Sequence, residues 1–392
     1  MSPASATSFL HQALRTRVIA KPGAVAELGR ELARLGCKRP LLLSGQRTAA
    51  GPVWAEVISA LGELTFMAVQ DIEPHSSLTT VERVAQLARE QGADALVAVG
   101  GGSVSDTAKA VALVLAEGAP LAQHASRFVP PTTVLTPDLV KPKLPILSIA
   151  MTASGAEATP SLGIRTPEGI KLLFWDAQLA SRVIFLDPVA NLASPASVML
   201  STGMNGLAHC IEGLYSKAGS PITSILALDG IVKFDQALRQ VAAMPQDVSA
   251  RANLLLAAHI SGMVLASARS CLHHALCHVM GATFGVAHGD VNSAVLPHAL
   301  RFNAVAAERE LAPAAERLGL PGQAAEASEQ LANWLHELQQ AIGVPSRLRD
   351  LGIPREQLAG VAEKTLHERG LAYNPRSVND ASELEAILLA AW

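Results

Sequence analysis

Apolar positions in the first half of the chain form short continuous runs that alternate with stretches of helical spacing. TRVIAKPGA reads as a strand and turn, and AVAELGRELARLG as an amphipathic helix closed by Gly36. PLLLSG is a short apolar run ending in glycine, as a buried parallel strand should be. VERVAQLAREQG predicts a helix ending at Gly92, ADALVAVGG a second buried strand, VSDTAKAVALVLAEG a helix and KLPILSIAM a further strand. Strand and helix alternating at these lengths imply a parallel sheet with helices on its faces. The proline-rich stretch FVPPTTVLTPDLVKPKLP is expected to be a loop rather than an element.

From about Pro195 the texture changes. ASVMLSTGMNGLAHCIEGLYSKAG, ITSILALDGIVKFDQALRQVAAM, VSARANLLLAAHISGMVLASA and QAAEASEQLANWLHELQQAIG all carry helical spacing. The expected architecture is therefore an α/β N-terminal domain over residues 1–190 and an all-α C-terminal domain over 191–392. The strand-like run VIFLDP, ending in Asp187 and Pro188, marks the boundary.

Composition narrows the function class. Of 392 residues, 49% are hydrophobic but only 4% aromatic and 17% charged, which gives a large aliphatic core and excludes disorder. A net charge of −3 leaves no electrostatic footprint for nucleic acid or an anionic membrane. Cys37, Cys210, Cys271 and Cys277 are too scattered for a disulfide framework, and no pair has CxxC spacing. The opening MSPASATSFLHQALRTR lacks the charged and apolar regions of a signal peptide, and no stretch of about 18 uninterrupted apolar residues predicts a spanning helix. The expectation is a cytoplasmic protein of two domains. Six of the 12 histidines, however, fall between His259 and His298.

Two segments carry chemistry. AVGGGSVSDTAKAV joins a buried strand to a helix through Gly100, Gly101 and Gly102, so backbone N–H groups can approach a pyrophosphate at the helix N-terminus. Ser103 is the expected N-cap and Asp106 the capping-box acid; the blander reading is an ordinary capped turn. The pattern is not GxGxxG, because Ser105 holds the third position. The second segment places Asn205 and His209 four residues apart on one helix, and His274 and His278 four apart on another, with His288 beyond a loop. Such imidazoles with an oxygen ligand could converge on a divalent cation. His273 points about a hundred degrees away from His274 and reads as packing or support, as do His259 and His298.

These residues resemble a known family. GGGSVSDTAK is similar to the GGGSxxDxAK cofactor loop of iron-containing alcohol dehydrogenases, and HHALCHVMGATFGVAHGDVNSAVLPHALRFN to that family's HxxxHxxGxxxxxxHGxxNxxxLPHxxxxN signature. The doubled histidine before LCHV, the GMN-x-LAH-x-xE-x-LY segment and the C-terminal YNPR resemble the maleylacetate reductase branch. The resemblance implies a Rossmann-like NAD(P)-binding domain followed by a helical catalytic domain, a homodimer, and hydride transfer to a small-molecule carboxylate of the maleylacetate kind. It implies Gly101, Gly102, Ser103 and Asp106 around the pyrophosphate, Thr152 near the cofactor and Lys171 in the nucleotide-side cleft. The family's metal-binding histidines correspond to His209, His274 and His288, with iron or zinc as the ion, and His278 to a histidine facing nicotinamide and substrate.

Three departures stand out. Asn205 occupies the place of the metal-binding aspartate, so the site loses a negative charge. Ala153 and Ala275 replace a tyrosine and a lysine of the branch. After the first inner strand, Gly45, Gln46 and Arg47 offer no acid to the cofactor ribose, which fits NADPH as well as NADH. Arg376 and Lys171 are the expected carboxylate partners. Other classes stay open: a metal-dependent alcohol dehydrogenase acting on a small aldehyde or alcohol, a lyase or cyclase resembling dehydroquinate synthase, and a binding protein that has lost its chemistry.

Overall fold

The structure is a computed structural model that describes residue 9 and residues 11–392. Most of the segment read for a signal peptide therefore lies outside the described residues. Six parallel strands form the central sheet: β1 (Arg17–Ala20), β2 (Pro40–Ser44), β3 (Met67–Val69), β4 (Ala95–Gly100), β7 (Ile146–Ala150) and β10 (Val183–Leu186), in the order β1-β10-β7-β4-β2-β3. Their pairing places Ser44 beside Val99 and Gly100 beside Ala150. Strands β2, β4, β7 and β10 are almost wholly buried because both faces are covered, which is why they read as unbroken aliphatic runs. Alternate residues feed opposite faces. Leu41, Leu43 and Leu96 pack with helices α4 (Leu78–Glu90) and α5 (Gly102–Glu117), while Leu42, Val97 and Leu147 pack with α1 (Leu28–Arg34) and α3 (Pro52–Leu61).

Strand order places the crevice. From β2 the chain steps outward to β3, then returns to the other side of β2 as β4. The strand order reverses between β2 and β4, so a ligand crevice opens beyond their carboxyl ends, at Gly45 and at Gly100 to Gly102. The short helix α2 (Gln46–Ala49) follows Gly45 directly.

Two antiparallel hairpins decorate this domain. One, β5 (Arg127–Val129) with β6 (Thr133–Leu135), lies within the proline-rich stretch expected to be a loop, since its prolines fall between and after the paired residues. The other, β8 (Ser161–Arg165) with β9 (Lys171–Trp175), carries Lys171 towards the crevice.

After the short α6 (Pro188–Asn191) the chain is helical: α7 (Ala196–Tyr215), α8 (Pro221–Ala243), α9 (Val248–Ala268), α10 (Leu272–Phe284), α11 (His288–Arg317), α12 (Ala327–Ile342), α13 (Leu358–Thr365) and α14 (Ala381–Ala391). Helix α7 runs through the middle, and its Gly203, Gly206 and Gly213 admit Leu238, Phe234 and Val264 from α8 and α9. Helix α9 is 21 residues long and contains an 18-residue window of mean hydropathy 1.3, long and apolar enough by length and composition to cross a membrane although Ser, Arg, Asn and His interrupt its apolar residues. However, 61% of that window is buried against the rest of the protein, as the core helix of a packed domain would be.

Arg251 of α9 is wholly buried where the two parts of the chain join. It donates to Asn191 O at 3.2 Å, Ser194 O at 3.0 Å and Pro245 O at 3.0 Å. Arg251→Met keeps most of the volume but strands these carbonyls. It should cost about 2–3 kcal/mol of stability, read as a lower denaturant midpoint. An unchanged midpoint would show that the guanidinium does not pin the join.

Candidate active site

The crevice is a cleft of about 820 Å³ bounded by the glycine loop, the β8–β9 hairpin, the start of α7 and the α10–α11 junction. It continues into a smaller chamber of about 160 Å³; Gly102, Asp106, Lys171, Asn205, His278 and His288 line both. At the loop, helix α5 begins at Gly102 with Gly101 as N-cap, two residues earlier than the expected Ser103 cap. Gly101 is extended (φ −98°, ψ −158°), and a Cβ there would lie 2.5 Å from Thr152 Cγ2. The backbone therefore reaches the cleft wall without a side chain and leaves first-turn N–H groups available to an anion.

Ser103 Oγ instead accepts from His75 N at 3.1 Å. Asp106 is not a capping-box acid either: it accepts from Gly163 N at 3.0 Å and lies 3.6 Å from Lys109, tying α5 to the β8–β9 hairpin. Both residues still line the cleft, as does Thr152. Gly45 lies on the cleft wall, with Arg47 exposed beside a side recess bordered by Thr48 and Thr152.

The four histidines come together. His209 and His274 stack at 4.6 Å between ring centroids, His278 and His288 at 5.6 Å, and His274 lies about 6 Å from both of the latter. Asn205 and His209 share a face of α7, His274 and His278 share a face of α10, and His288 opens α11. Burial is the main cause holding these imidazoles below their ordinary pKa, with Lys171 adding for His274, His278 and His288. His274 is pushed down to about 3. All four are neutral near pH 7, each with one N–H and one lone pair.

Two carboxylates that the histidine spacing does not reveal orient them. Glu212, one helical turn beyond His209, accepts from Cys271 N at 3.0 Å and His273 N at 2.9 Å, and lies 2.6 Å from His274 Nδ1. It thereby caps α10 and fixes the His274 ring. Glu368 lies 3.3 Å from His278 Nδ1 and is pushed up to about 7 by burial, against the pull of Lys171 and Arg369. His273 plays the supporting part expected of it, with Nε2 3.0 Å from Asn292 O. His259 and His298 line neither space.

The donor set does not suit a divalent cation. His274 Nε2 lies 3.2 Å from Asn205 Oδ1, and an amide completes that contact whichever partner holds the proton, through its NH2 or its carbonyl. Imidazole and amide thus satisfy each other at the point where a lone pair and an anionic oxygen would have to converge on an ion. His209 Nδ1 is buried without a partner among the described residues, but one neutral lone pair is a weak claim on a metal. The grouping of Glu212, His273 and His274 has ligand atoms within 4.8 Å of one another, yet its carboxylate is engaged by two backbone N–H groups and the His274 ring.

One sequence expectation fails here. Arg376 does not reach the chamber: it donates to Phe302 O at 2.9 Å, pairs with Glu383 at 2.8 Å and stacks on Phe302, clamping α14. Ala153 and Ala275, the two departures from the branch, are buried and line neither space. Arg269, Arg369 and Tyr373 line the chamber instead.

A doubly wound sheet with a glycine loop at its switch point, facing a polar pocket on a helical domain, defines a two-domain oxidoreductase. The chain belongs to the iron-containing alcohol dehydrogenase family. Residues 15–188 match the family model described as iron-containing alcohol dehydrogenase, and residues 199–392 its C-terminal counterpart. It is 32% identical over 354 residues to a maleylacetate reductase of Sphingobium indicum, covering 90% of both chains. It is 30% identical over 391 residues to a maleylacetate reductase of Pseudomonas knackmussii, covering 98% of both. The crystal structure of maleylacetate reductase from Agrobacterium tumefaciens superposes with a TM-score of 0.81 at 27% identity, over 99% of each chain.

Proposed function

We propose that this protein is an NAD(P)H-dependent reductase that transfers hydride to a small unsaturated oxo acid, of the maleylacetate to 3-oxoadipate kind, without a bound metal. The observation that carries this reading is the continuity of the glycine-loop cleft with a chamber walled by four neutral imidazoles. On this reading, residues 1–190 hold the cofactor, with Gly101, Gly102 and the α5 N-terminus at the pyrophosphate and Lys171 and Thr152 along the cleft. Residues 191–392 supply the proton and hold the substrate.

A nicotinamide bound in the cleft would supply the hydride, and the electron pair of the substrate's C=C bond would move towards the carbonyl as an enolate. His209 and His288 donate to that developing negative oxygen, the task a metal performs elsewhere in chemistry of this kind. His278, backed by Glu368, delivers the proton to carbon and completes the reduction, with NAD(P)+ leaving as the oxidised product. Relatives named for maleylacetate support the substrate class, and the absence of an acid at Gly45 supports use of either NADH or NADPH.

The test is oxidation of NADH and NADPH with maleylacetate beside a panel of 2-oxo acids and small aldehydes. Turnover with the unsaturated oxo acid, unaffected by a chelator, is expected. Turnover confined to neutral aldehydes and dependent on an added divalent ion would replace this reading with that of a metal-dependent alcohol dehydrogenase.

A further inference from the structure

Two cations in the chamber have no task in the hydride step. Arg269 and Arg369 line it beside His209, His274 and His278. Burial is the largest influence on both guanidiniums, holding each below its ordinary pKa. They also oppose each other, since burial and then the charge of Arg269 hold Arg369 down to about 10. The nearby acids are occupied: Asp106 by Gly163 N and Lys109, Glu368 by His278. With Lys171 the chamber wall carries three cations against one acid, Asp106. Such an excess of like charge is costly unless an anion enters.

The backbone at Arg269 sharpens the point. Arg269 ends α9 with φ 65° and ψ 174°, a region that is essentially reserved for glycine. A side chain is therefore held where the backbone prefers none. Its guanidinium carbon lies over the Trp175 ring, 4.4 Å from the centroid, a cation–π contact that holds the charge in place beside the chamber.

We propose that Arg269 and Arg369 are substrate-binding residues that grip one carboxylate between them, so that the chamber selects a small dicarboxylate over monoanionic or neutral carbonyl compounds. This rests on the reading above that the enzyme reduces an anionic oxo compound. It adds which side chains recognise the substrate: Arg269 and Arg369 line the chamber.

The experiment compares wild type with Arg269→Gly, Arg369→Gln and Arg369→Lys, using maleylacetate, a monocarboxylate oxo acid and a neutral aldehyde. Arg269→Gly relieves the backbone, so its thermal midpoint should equal or exceed that of wild type, while KM for maleylacetate rises about 10- to 100-fold and KM for NAD(P)H stays unchanged. Arg369→Lys should recover part of the loss seen in Arg369→Gln. Succinate, which has the two charges but no reducible bond, should raise the thermal midpoint of wild type and not that of Arg269→Gly. KM values within threefold of wild type for both Arg269→Gly and Arg369→Gln, with succinate protecting all variants alike, would overturn the proposal. A wild type that reduces only neutral aldehydes overturns the underlying reading instead, and the succinate shift then decides the arginine pair by itself.

Discussion

His278→Ala is expected to lower kcat for NAD(P)H-dependent reduction by about 10²–10⁴-fold, the usual worth of a positioned proton donor, while leaving cofactor affinity within a few-fold of wild type. His278 reaches both the cleft and the chamber, and its Nδ1 faces Glu368. Burial first, then Lys171 and His288, holds the ring well below its ordinary pKa, so His278 does not store a proton by itself. Glu368 does, because burial pushes its carboxyl up to about 7. Below that value Glu368 is protonated and the pair carries a proton that the imidazole passes on. As pH rises through about 7 the proton is lost, so kcat/KM should fall on the alkaline side. Glu368→Gln should remove that limb and leave a lower, flatter profile. The readout is kcat/KM against pH for wild type and both variants; a His278→Ala enzyme within tenfold of wild type would show that the proton comes from elsewhere.

Asn205→Asp is expected to turn the pocket into a cation site. The amide now satisfies His274 Nε2 across 3.2 Å. A carboxylate cannot donate, so it accepts either a proton held on His274 Nε2 or, with His209 and His288 close by, shares a divalent cation with that ring. One unit charge about 4 Å away is worth roughly 4 kcal/mol at an effective dielectric near 20, or about a thousandfold in affinity. Elemental analysis of protein prepared without chelator should move from well below to near one divalent ion per chain. Reduction of the oxo acid should weaken as the bound ion takes the imidazoles proposed to contact substrate oxygen. A variant that stays free of metal would mean that the imidazoles cannot converge, whatever the fourth ligand.

Much of this was legible in the sequence because it depends on local spacing. Runs such as PLLLS and ALVAVG announce strands buried on both faces, and four-residue spacing places Asn205 with His209 and His274 with His278 on shared helix faces. What escaped depends on contacts between distant segments. Asp106 has the spacing of a capping acid, yet its partner is Gly163, 57 residues away on a hairpin. Arg376 stands in a conspicuous motif but is turned away by Phe302 and Glu383, whereas Arg269 and Arg369, in no motif at all, reach the chamber. Glu212 sits within the quoted LAH-x-xE segment, one turn past His209, and that spacing was the available signal for its role. The hairpin inside the proline-rich stretch was hidden because proline marks turns without showing which residues pair between them.

The histidines and the arginines of the chamber are mounted differently. His209, His274 and His278 stand on long, packed helices, and Glu212 ties two of those helices together. Arg269 sits on the turn between α9 and α10, and Arg369 at the start of a short 3-10 segment. Substitutions at these two positions can therefore alter which substrates enter without disturbing the frame that aligns hydride and proton. On the proposed reading, selectivity and reaction chemistry sit on separately replaceable parts of the chain.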